Sequence, residues 1–280
     1  MSAPAVSVVV PTRNRADYLA VCLGSMEDQH IDVAYEVVVV DDGSDDATRT
    51  VAERAGAGYE RHVRPRGPNA ARNTGIAATS APLIALVDDD VRAPDGWLAE
   101  LVDGAKRHDW AEALGGPIRA SLEGPAPGAC GREGAPITTL DLGPADRETD
   151  FVWSANMAIR RAAVERIGGF DEEVPIYGDE EEWLIRLKAA GGRVAYVAGA
   201  GLQHRRAGSD AMLRHLARAE YGRGRAALRS DRRKGASVKL SHELRDLAGA
   251  GWHTVRRRCP QGLIMGAHSA GRLAETLHRT

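Results

Sequence analysis

The chain has 280 residues, 43% of them apolar and 27% charged, which is typical of a soluble globular protein with one large or two small domains. Its 37 basic and 39 acidic side chains nearly cancel, so the net charge of −2 identifies no class of partner. The charge is unevenly distributed, because residues 205–280 carry 17 basic and 6 acidic side chains, a balance of +11 that leaves −13 for the preceding part.

Three cysteines, Cys22, Cys130 and Cys259, are widely spaced and match no metal-ligand pattern. We expect them to be free thiols in a reducing cytoplasm, without bound metal. The N-terminus lacks the basic and apolar regions of a secretory signal, and no run approaches the ~18 apolar residues of a transmembrane helix. These features predict a cytoplasmic protein with no membrane span.

The first 90 residues alternate apolar runs with amphipathic segments. Residues 6–10 are a β-branched run that predicts a buried strand, followed by a helix that Asn14 can cap. Residues 36–40 predict a second strand, after which Ser44 can cap a second helix. The next segments predict a weak strand near 59–63, a helix at 70–78 and a strand at 82–87. Strands alternating with helices predict a parallel, right-handed βαβ sheet.

Polar and acidic residues recur where these strands end, as Thr12-Arg13, Asp41-Asp42 and Asp88-Asp89-Asp90. Three adjacent carboxylates repel one another and are costly to desolvate without a cation or hydrogen-bond donors. One interpretation of the triple is a solvated acidic turn, and the other is a Mg²⁺ or Mn²⁺ site facing a substrate phosphate. Because ligands of open α/β sheets bind at the carboxyl ends of the strands, we favour a shared site.

No glycine-rich dinucleotide or P-loop motif follows the first strand, which disfavours nicotinamide binding and P-loop hydrolysis. Residues 115–144 are punctuated by Gly-Pro pairs and predict either a tolerated insertion or a lid or acceptor loop. A strand at 151–159 contains Trp153 and Asn156, and a helix that opens at 179–182 has acids suited to its dipole.

The basic segment after Ser209 predicts helices. Solvated helices that pack on the body are one interpretation, and a peripheral contact with anionic lipid at the inner face of the membrane is the other. No nucleic-acid recognition motif accompanies the charge, so we expect no nucleic-acid partner.

Six short motifs occur in a specific order, namely VVVPTRNR (8–15), VVDDGS (39–44), NAARNTGI (69–76), LVDDD (86–90), GGFDE (168–172) and GDE (178–180) ahead of Trp183 and Arg186. Together they resemble the inverting family 2 glycosyltransferases of the GT-A fold. The resemblance implies an α/β fold with a mostly parallel central sheet flanked by helices. It places this domain at 1–208, with a nucleotide-binding half at 1–115 and an acceptor-side half at 116–208, followed by a basic helical extension at 209–280.

The resemblance also implies a nucleoside-diphosphate-sugar donor, linked to UDP, GDP or dTDP, across the strand ends. It implies donor contacts from Pro11, Thr12, Arg13, Asp42, Arg72, Asp88 and Asp89. Asp89 matches the carboxylate that faces the ribose, with Asp88 as its support, and Asp90 matches the ligand of Mn²⁺ or Mg²⁺. His204 matches a histidine that some members use as a further metal ligand, although a structural histidine is the alternative. On the acceptor side we place Trp153 and Asn156.

Departure of a nucleoside diphosphate develops negative charge that a divalent cation neutralises, and the acceptor hydroxyl needs a general base. The family supplies the base from a Glu-Asp pair six residues before an arginine. Counting back from Arg186 reaches Glu180, with Asp179 in the glutamate position. We therefore predict Glu180 as the base and keep Asp179 as the alternative.

The prediction is a metal-dependent, inverting glycosyltransferase that moves one sugar to a hydroxyl acceptor by single displacement. A nucleotidyltransferase is the enzymatic alternative, but residues 11–14 lack the glycine-rich triphosphate loop that such an enzyme is expected to have. A non-catalytic sugar-nucleotide or glycan-binding protein is the alternative from another class, and the presence of Asp90 and Glu180 argues against it.

Overall fold

The structure is a computed structural model that describes residues 3–27, 29–132, 134, 136–174, 178–236 and 239–277, with the exception of the Arg233 side chain. The chain forms two compact units, of which the first contains residues 1–119 and 139–204 and the second 120–138 and 205–280. Residues 120–138, which the sequence analysis counted with the first domain, thus group with the C-terminal segment.

Eleven strands are assigned in the described ranges: β1 (Val6–Thr12), β2 (Tyr35–Asp41), β3 (Gly58–Arg61), β4 (Leu83–Val87), β5 (Val91–Arg92), β6 (Ala113–Gly115), β7 (Ile118–Glu123), β8 (Arg147–Thr149), β9 (Asn156–Arg160), β10 (Val194–Tyr196) and β11 (Leu202–Ala207). Eight of them form one sheet in the order β3-β2-β1-β4-β9-β6-β10-β8. A three-stranded sheet has the order β5-β11-β7.

Strands β1 to β4, which lie within the predicted nucleotide-binding half at 1–115, pair in parallel with one another. Strand β1 pairs in parallel with β2 on one side and with β4 on the other, and β2 pairs in parallel with β3. Beyond β4 the sheet becomes mixed, because β9 runs antiparallel to both β4 and β6. The mostly parallel sheet predicted from the alternating pattern is confirmed.

The apolar runs form strands because both faces of the sheet are covered, as in other parallel sheets. Every residue of β1 and of β4 is buried. Close packing of a helix on this sheet requires Gly75, since a Cβ there would lie 2.3 Å from Val9 Cγ1.

The α-helices of the first unit are α1 (Ala16–Glu27), α2 (Thr48–Arg54), α3 (Pro68–Ala78), α4 (Trp97–Arg107), α5 (Arg161–Ile167) and α6 (Asp179–Ala189).

Two predicted caps are wrong. Asn14 lies in the left-handed region at φ 52° and accepts a hydrogen bond from the Asp45 amide (2.8 Å), whereas Asp46 accepts from the first amide of α1, that of Ala16, at 2.9 Å. Asp46 also accepts from the Thr48 amide at 3.0 Å, so α2 begins at Thr48 and not after Ser44.

The second unit contains the predicted C-terminal helices α7 (Leu213–Arg233), α8 (Leu240–Arg257) and α9 (Gln261–Leu277). Helices α7 and α9 pack so closely at Gly224 that a Cβ there would lie 2.0 Å from the carbonyl oxygen of His268. Arg272 of α9 donates to Glu243 of α8 at 2.8 Å and to Asp231 of α7 at 2.9 Å. Within the described ranges, no helix combines the length and the apolar character that crossing a membrane requires.

Candidate active site

The candidate site lies at the carboxyl end of the parallel strands, where the chain reverses its direction of travel across the sheet. From β1 the chain proceeds to β2 and β3 on one side, and then returns to β4 on the other side of β1. Such a switch point is the usual ligand position in an open α/β sheet. Thr12, the last residue of β1, and Asp89, just after β4, meet here through a hydrogen bond of 2.7 Å from Thr12 Oγ1 to the carboxylate.

The middle carboxylate of the acidic triple is held by neighbouring side chains. Asp89 is 5% exposed and forms an ion pair with Arg15 at 2.7 Å, in addition to the bond from Thr12. Burial and the neighbouring Asp90 raise the pKa of Asp89 to about 7, although Arg15 and Thr12 oppose the rise. Arg15, which the sequence analysis did not single out, is therefore the cation that compensates this part of the triple.

Asp88, Asp90 and His204 form a cluster in which one ligand atom of each residue lies within 4.8 Å of the other two. His204 of β11 is 3% exposed, and its Nε2 lies 3.0 Å from Asp90 Oδ1. Strand pairing places it there, because His204 is in register with Val91, the residue after Asp90. Two carboxylates and an imidazole are suitable ligands for Mn²⁺, and the two carboxylates suit Mg²⁺. The three residues therefore fit the divalent cation expected from the sequence.

The carboxylate of Asp42 fixes the loop after β3. It accepts hydrogen bonds from the Arg66 and Gly67 amides, each at 2.8 Å, and lies 2.7 Å from His62 Nδ1. Burial tends to raise the pKa of Asp42, but these hydrogen bonds outweigh it and hold the pKa below its ordinary value. Asp42 thus stays ionised and shapes the loop. Its partner His62, like Arg15, was not singled out by the sequence analysis.

The end of β1 and the loop after it offer both buried and exposed groups. Pro11 and Thr12 are buried, whereas Arg13 is exposed. The Asn14 amide donates to Ser44 Oγ at 2.8 Å and so joins this loop to the turn after β2. The predicted donor-contact residues of β1 and β2 are thereby brought to adjacent loops.

Arg72 of α3 connects the acidic triple with the start of α6. The residue is 6% exposed, and its guanidinium forms an ion pair with Asp179 and lies 3.5 Å from Asp88. It also donates to Asn69 Oδ1 at 3.0 Å and to Ser154 Oγ at 2.9 Å. Arg72 therefore orders the acidic groups at the site.

Asp179 and Glu180 lie at the start of α6, after Gly178 in a left-handed conformation (φ 105°). They are 4% and 6% exposed, and a side-chain hydrogen bond joins them. Two carboxyl groups can form such a bond only when one is protonated. Burial and the neighbouring Asp179 raise the pKa of Glu180 well above its ordinary value. Burial also tends to raise the pKa of Asp179, but Arg72 and the bond with Glu180 hold it below its usual value.

The two residues expected on the acceptor side differ in their surroundings. Trp153 is half-buried and makes an edge contact with Phe151, at 4.3 Å between ring centroids. Asn156 is fully buried, accepts from Trp97 Nε1 at 2.9 Å, and donates to the carbonyls of Pro117 and Ala200 at 3.1 and 2.8 Å. An acceptor contact by Asn156 would have to break this network, so its position indicates a structural role.

Comparison with known proteins agrees with this architecture. The model of the family described as "Glycosyl transferase family 2" matches residues 7–168. The pre-mycofactocin glycosyltransferase of Mycobacterium tuberculosis is 34% identical over 201 residues, which cover 68% of this chain and 40% of that protein. This chain therefore spans less than half the length of that relative.

Two solved structures share the fold at 18% sequence identity each. The mannosyltransferase PcManGT of Pyrobaculum calidifontis, in complex with GDP-Man and Mn²⁺, aligns with a TM-score of 0.63 over 98% of this chain and 72% of that one. TarS 1–349 of S. aureus, in complex with UDP-GlcNAc, aligns with a TM-score of 0.57 over 89% of this chain and 72% of that one. The fold is thus the GT-A fold of these transferases. The chain belongs to glycosyl transferase family 2.

Proposed function

We propose that this protein is a metal-dependent, inverting glycosyltransferase that moves one sugar from a nucleoside-diphosphate-sugar to a hydroxyl acceptor. The observation that carries the proposal is the pairing of two acidic centres at one sheet edge. The cluster of Asp88, Asp90 and His204 suits a divalent cation, and Arg72 connects it to the Asp179-Glu180 pair.

The reaction is a single displacement at the anomeric carbon. The acceptor oxygen forms a bond to that carbon as the bond to the diphosphate oxygen breaks, and the hydroxyl proton passes to a carboxylate. Glu180 suits this role, because a carboxylate whose pKa is raised above its ordinary value is a stronger proton acceptor than an unperturbed one. Asp179, whose ion pair with Arg72 lowers its basicity, is assigned to hold Arg72 and Glu180 in place.

The metal would be held by Asp90 and His204, with Asp88 as the third ligand of the cluster. When bound, a divalent cation supplies positive charge that stabilises the departing diphosphate. Mn²⁺ suits this set better than Mg²⁺, because an imidazole is a softer ligand than the oxygens that Mg²⁺ prefers. Arg15, which contacts Asp90 at 3.0 Å, would compensate the same carboxylates before the metal binds.

For the donor, we propose that Pro11, Thr12 and Arg13 border the nucleotide, and that Asp42 acts through the loop it orders. Asp89 would face the ribose from its position between Thr12 and Arg15. The related folds bind GDP-Man in one case and UDP-GlcNAc in another, so UDP, GDP and dTDP donors all remain in the proposal.

Donor binding tests the proposal without knowledge of the acceptor. Isothermal titration of UDP-, GDP- and dTDP-sugars, with Mn²⁺ and with EDTA, is expected to find at least one donor whose affinity falls tenfold or more when the metal is removed. Asp90→Ala is expected to abolish this metal dependence, whereas Asp109→Ala, a substitution outside the site, should preserve it. Metal-independent binding, or unchanged binding by Asp90→Ala, would contradict the metal assignment.

A peripheral contact with anionic lipid is proposed for α8. Its residues Leu240, Leu244, Trp252 and Val255 are 46–76% exposed, and their helical spacing places them on one face. The exposed Arg256 follows this stripe, in a region of positive charge. An apolar stripe with basic neighbours matches the chemistry of an anionic membrane surface, and the cytoplasmic leaflet has this charge.

Sedimentation with phosphatidylserine-containing vesicles tests the contact. Trp252→Ala/Val255→Ser is expected to weaken binding about thirtyfold, because it removes roughly 2 kcal/mol of apolar transfer energy. Val63→Ser, at a residue 95% exposed in the first unit, is the control and should bind like the wild type. Equal binding of all three proteins, or no binding by the wild type, would reject the contact.

A further inference from the structure

Two of the three cysteines lie beside a histidine in the second unit. Cys130 lies in the irregular segment after β7, His253 in α8, and Cys259 in the short connection between α8 and α9. One ligand atom of each residue lies within 4.8 Å of the other two. The sequence showed no ligand pattern here, because 123 residues separate Cys130 from His253.

The separations are close to those of a tetrahedral metal site. Zn–S and Zn–N bonds of about 2.3 and 2.0–2.1 Å place ligand atoms roughly 3.5–3.8 Å apart. Cys130 Sγ lies 3.5 Å from His253 Nε2. A thiol–imidazole hydrogen bond accounts for that one distance, but it does not account for Cys259 as the third member.

The chemistry of the three ligands selects the metal. Thiolate and imidazole groups favour Zn²⁺ over the hard cations that suit the carboxylates of the first unit. Two thiolates also balance the charge of Zn²⁺, so the site gains no net charge in a partly buried position, where Cys259 is 3% exposed and His253 is half-buried. Three protein ligands leave the fourth position of a tetrahedral site for water.

The surrounding backbone holds the ligands from two separate segments. Arg258 ends α8 in a left-handed conformation (φ 51°), and α9 begins at Gln261, which fixes Cys259 between two helices. Gln261 Nε2 lies 3.4 Å from the carbonyl oxygen of Pro127, and Cys259 Sγ lies 3.9 Å from that of Gly128. The segment that carries Cys130 therefore already contacts the connection that carries Cys259.

We propose that Cys130, His253 and Cys259 bind one Zn²⁺ ion, which fastens the segment after β7 to the connection between α8 and α9. The site is separate from the carboxylate cluster and does not depend on the proposed sugar transfer. It assigns a role to the Gly-Pro-rich stretch that the sequence analysis read as an insertion or a lid.

Metal content of the full chain tests the site. Protein produced with added Zn²⁺ and dialysed against metal-free buffer is expected to retain about one Zn²⁺ per chain by mass spectrometry. Cys259→Ser and His253→Gln are expected to lower the affinity for Zn²⁺ at least tenfold. Cys22→Ala, which removes the cysteine of the first unit, and Asp90→Ala, which alters the carboxylate cluster, should both retain the ion.

Cobalt substitution distinguishes ligand loss from misfolding. The wild type and Cys22→Ala are expected to show the thiolate-to-Co²⁺ charge-transfer absorption, and Cys130→Ser, at an exposed residue, should lose it while its circular dichroism is unchanged. Absence of Zn²⁺ from the reduced wild type would overturn the proposal. A disulfide between Cys130 and Cys259 in the isolated protein, or full Zn²⁺ retention by Cys259→Ser, would also overturn it.

Discussion

Replacing Arg72 by methionine is expected to destabilise the first unit strongly. The substitution keeps much of the side-chain volume but removes the guanidinium that pairs with Asp179. Both side chains are at most 7% exposed, so the pair is buried. Removing one partner of a buried ion pair lowers stability by about 3–5 kcal/mol, because the other charge is left unpaired. The guanidinium bonds to Asn69 and Ser154 are lost as well, which places the expected cost in the upper part of that range.

Urea unfolding followed by tryptophan fluorescence measures this cost, because Trp97, Trp110, Trp153 and Trp183 belong to the first unit. Arg49→Met is a matched control that breaks an arginine–glutamate pair whose partners are 68% and 56% exposed, and it should leave the urea midpoint nearly unchanged because water screens the pair. Arg72→Met/Asp179→Asn should be less destabilised than the sum of the two single variants, by about 1–3 kcal/mol. A cost below about 1 kcal/mol for Arg72→Met, or additive single variants, would refute this reasoning.

Three further predictions concern named residues. The acidic limb of the pH profile of kcat/KM should lie well above 4.5, the ordinary pKa of a glutamate, because Glu180 must lose its proton before it can act as a base. Glu180→Gln should remove turnover, while calorimetry should still detect donor binding. A limb near 4.5, or an active Glu180→Gln variant, would show that another residue is the base. Asn156→Ala should lower the free energy of unfolding by about 3 kcal/mol or more, because it leaves one indole N–H and two carbonyls unpaired. A decrease below about 1 kcal/mol in urea titration would show that water replaces the amide. Gly75→Ala should lower the free energy of unfolding by about 1–3 kcal/mol, because the added Cβ would clash with Val9 of β1. Gly24→Ala is the control: a helical Cβ there would meet nothing within 4 Å, so the variant should be neutral or stabilised by up to about 1 kcal/mol. Equal thermal shifts of the two variants would contradict the close packing on β1.

The strands and the edge that carries the site could be predicted from sequence, because their signals are local. A β-branched run such as that of β1 has few alternatives to a buried strand, and the polar residues that follow each run necessarily reach the same end of a parallel sheet. The acidic triple and the acidic start of α6 are therefore recognisable as motifs from the sequence alone.

What could not be predicted are contacts between residues far apart in the chain. Arg15 and Asp89 are 74 residues apart, and nothing in either segment specifies the other. The sequence analysis places Asn156 on the acceptor side, whereas the fold uses its amide to join Trp97 to two loops. The caps of α1 and α2 were misassigned for the same reason, since Asp46 caps a helix start 30 residues earlier in the chain. The cysteines that meet His253 likewise become neighbours only through the packing of the second unit.

The stereochemistry of donor hydrolysis tests the central claim most directly, because water can take the place of an unidentified acceptor. A donor that binds in the titrations is incubated with the protein and Mn²⁺, and proton NMR records which anomer of the free sugar appears first, before mutarotation. Single displacement predicts the anomer opposite to that of the donor, with no release above background in Glu180→Gln. Initial release of the same anomer as in the donor would contradict the mechanism, as would release that is unaffected by EDTA.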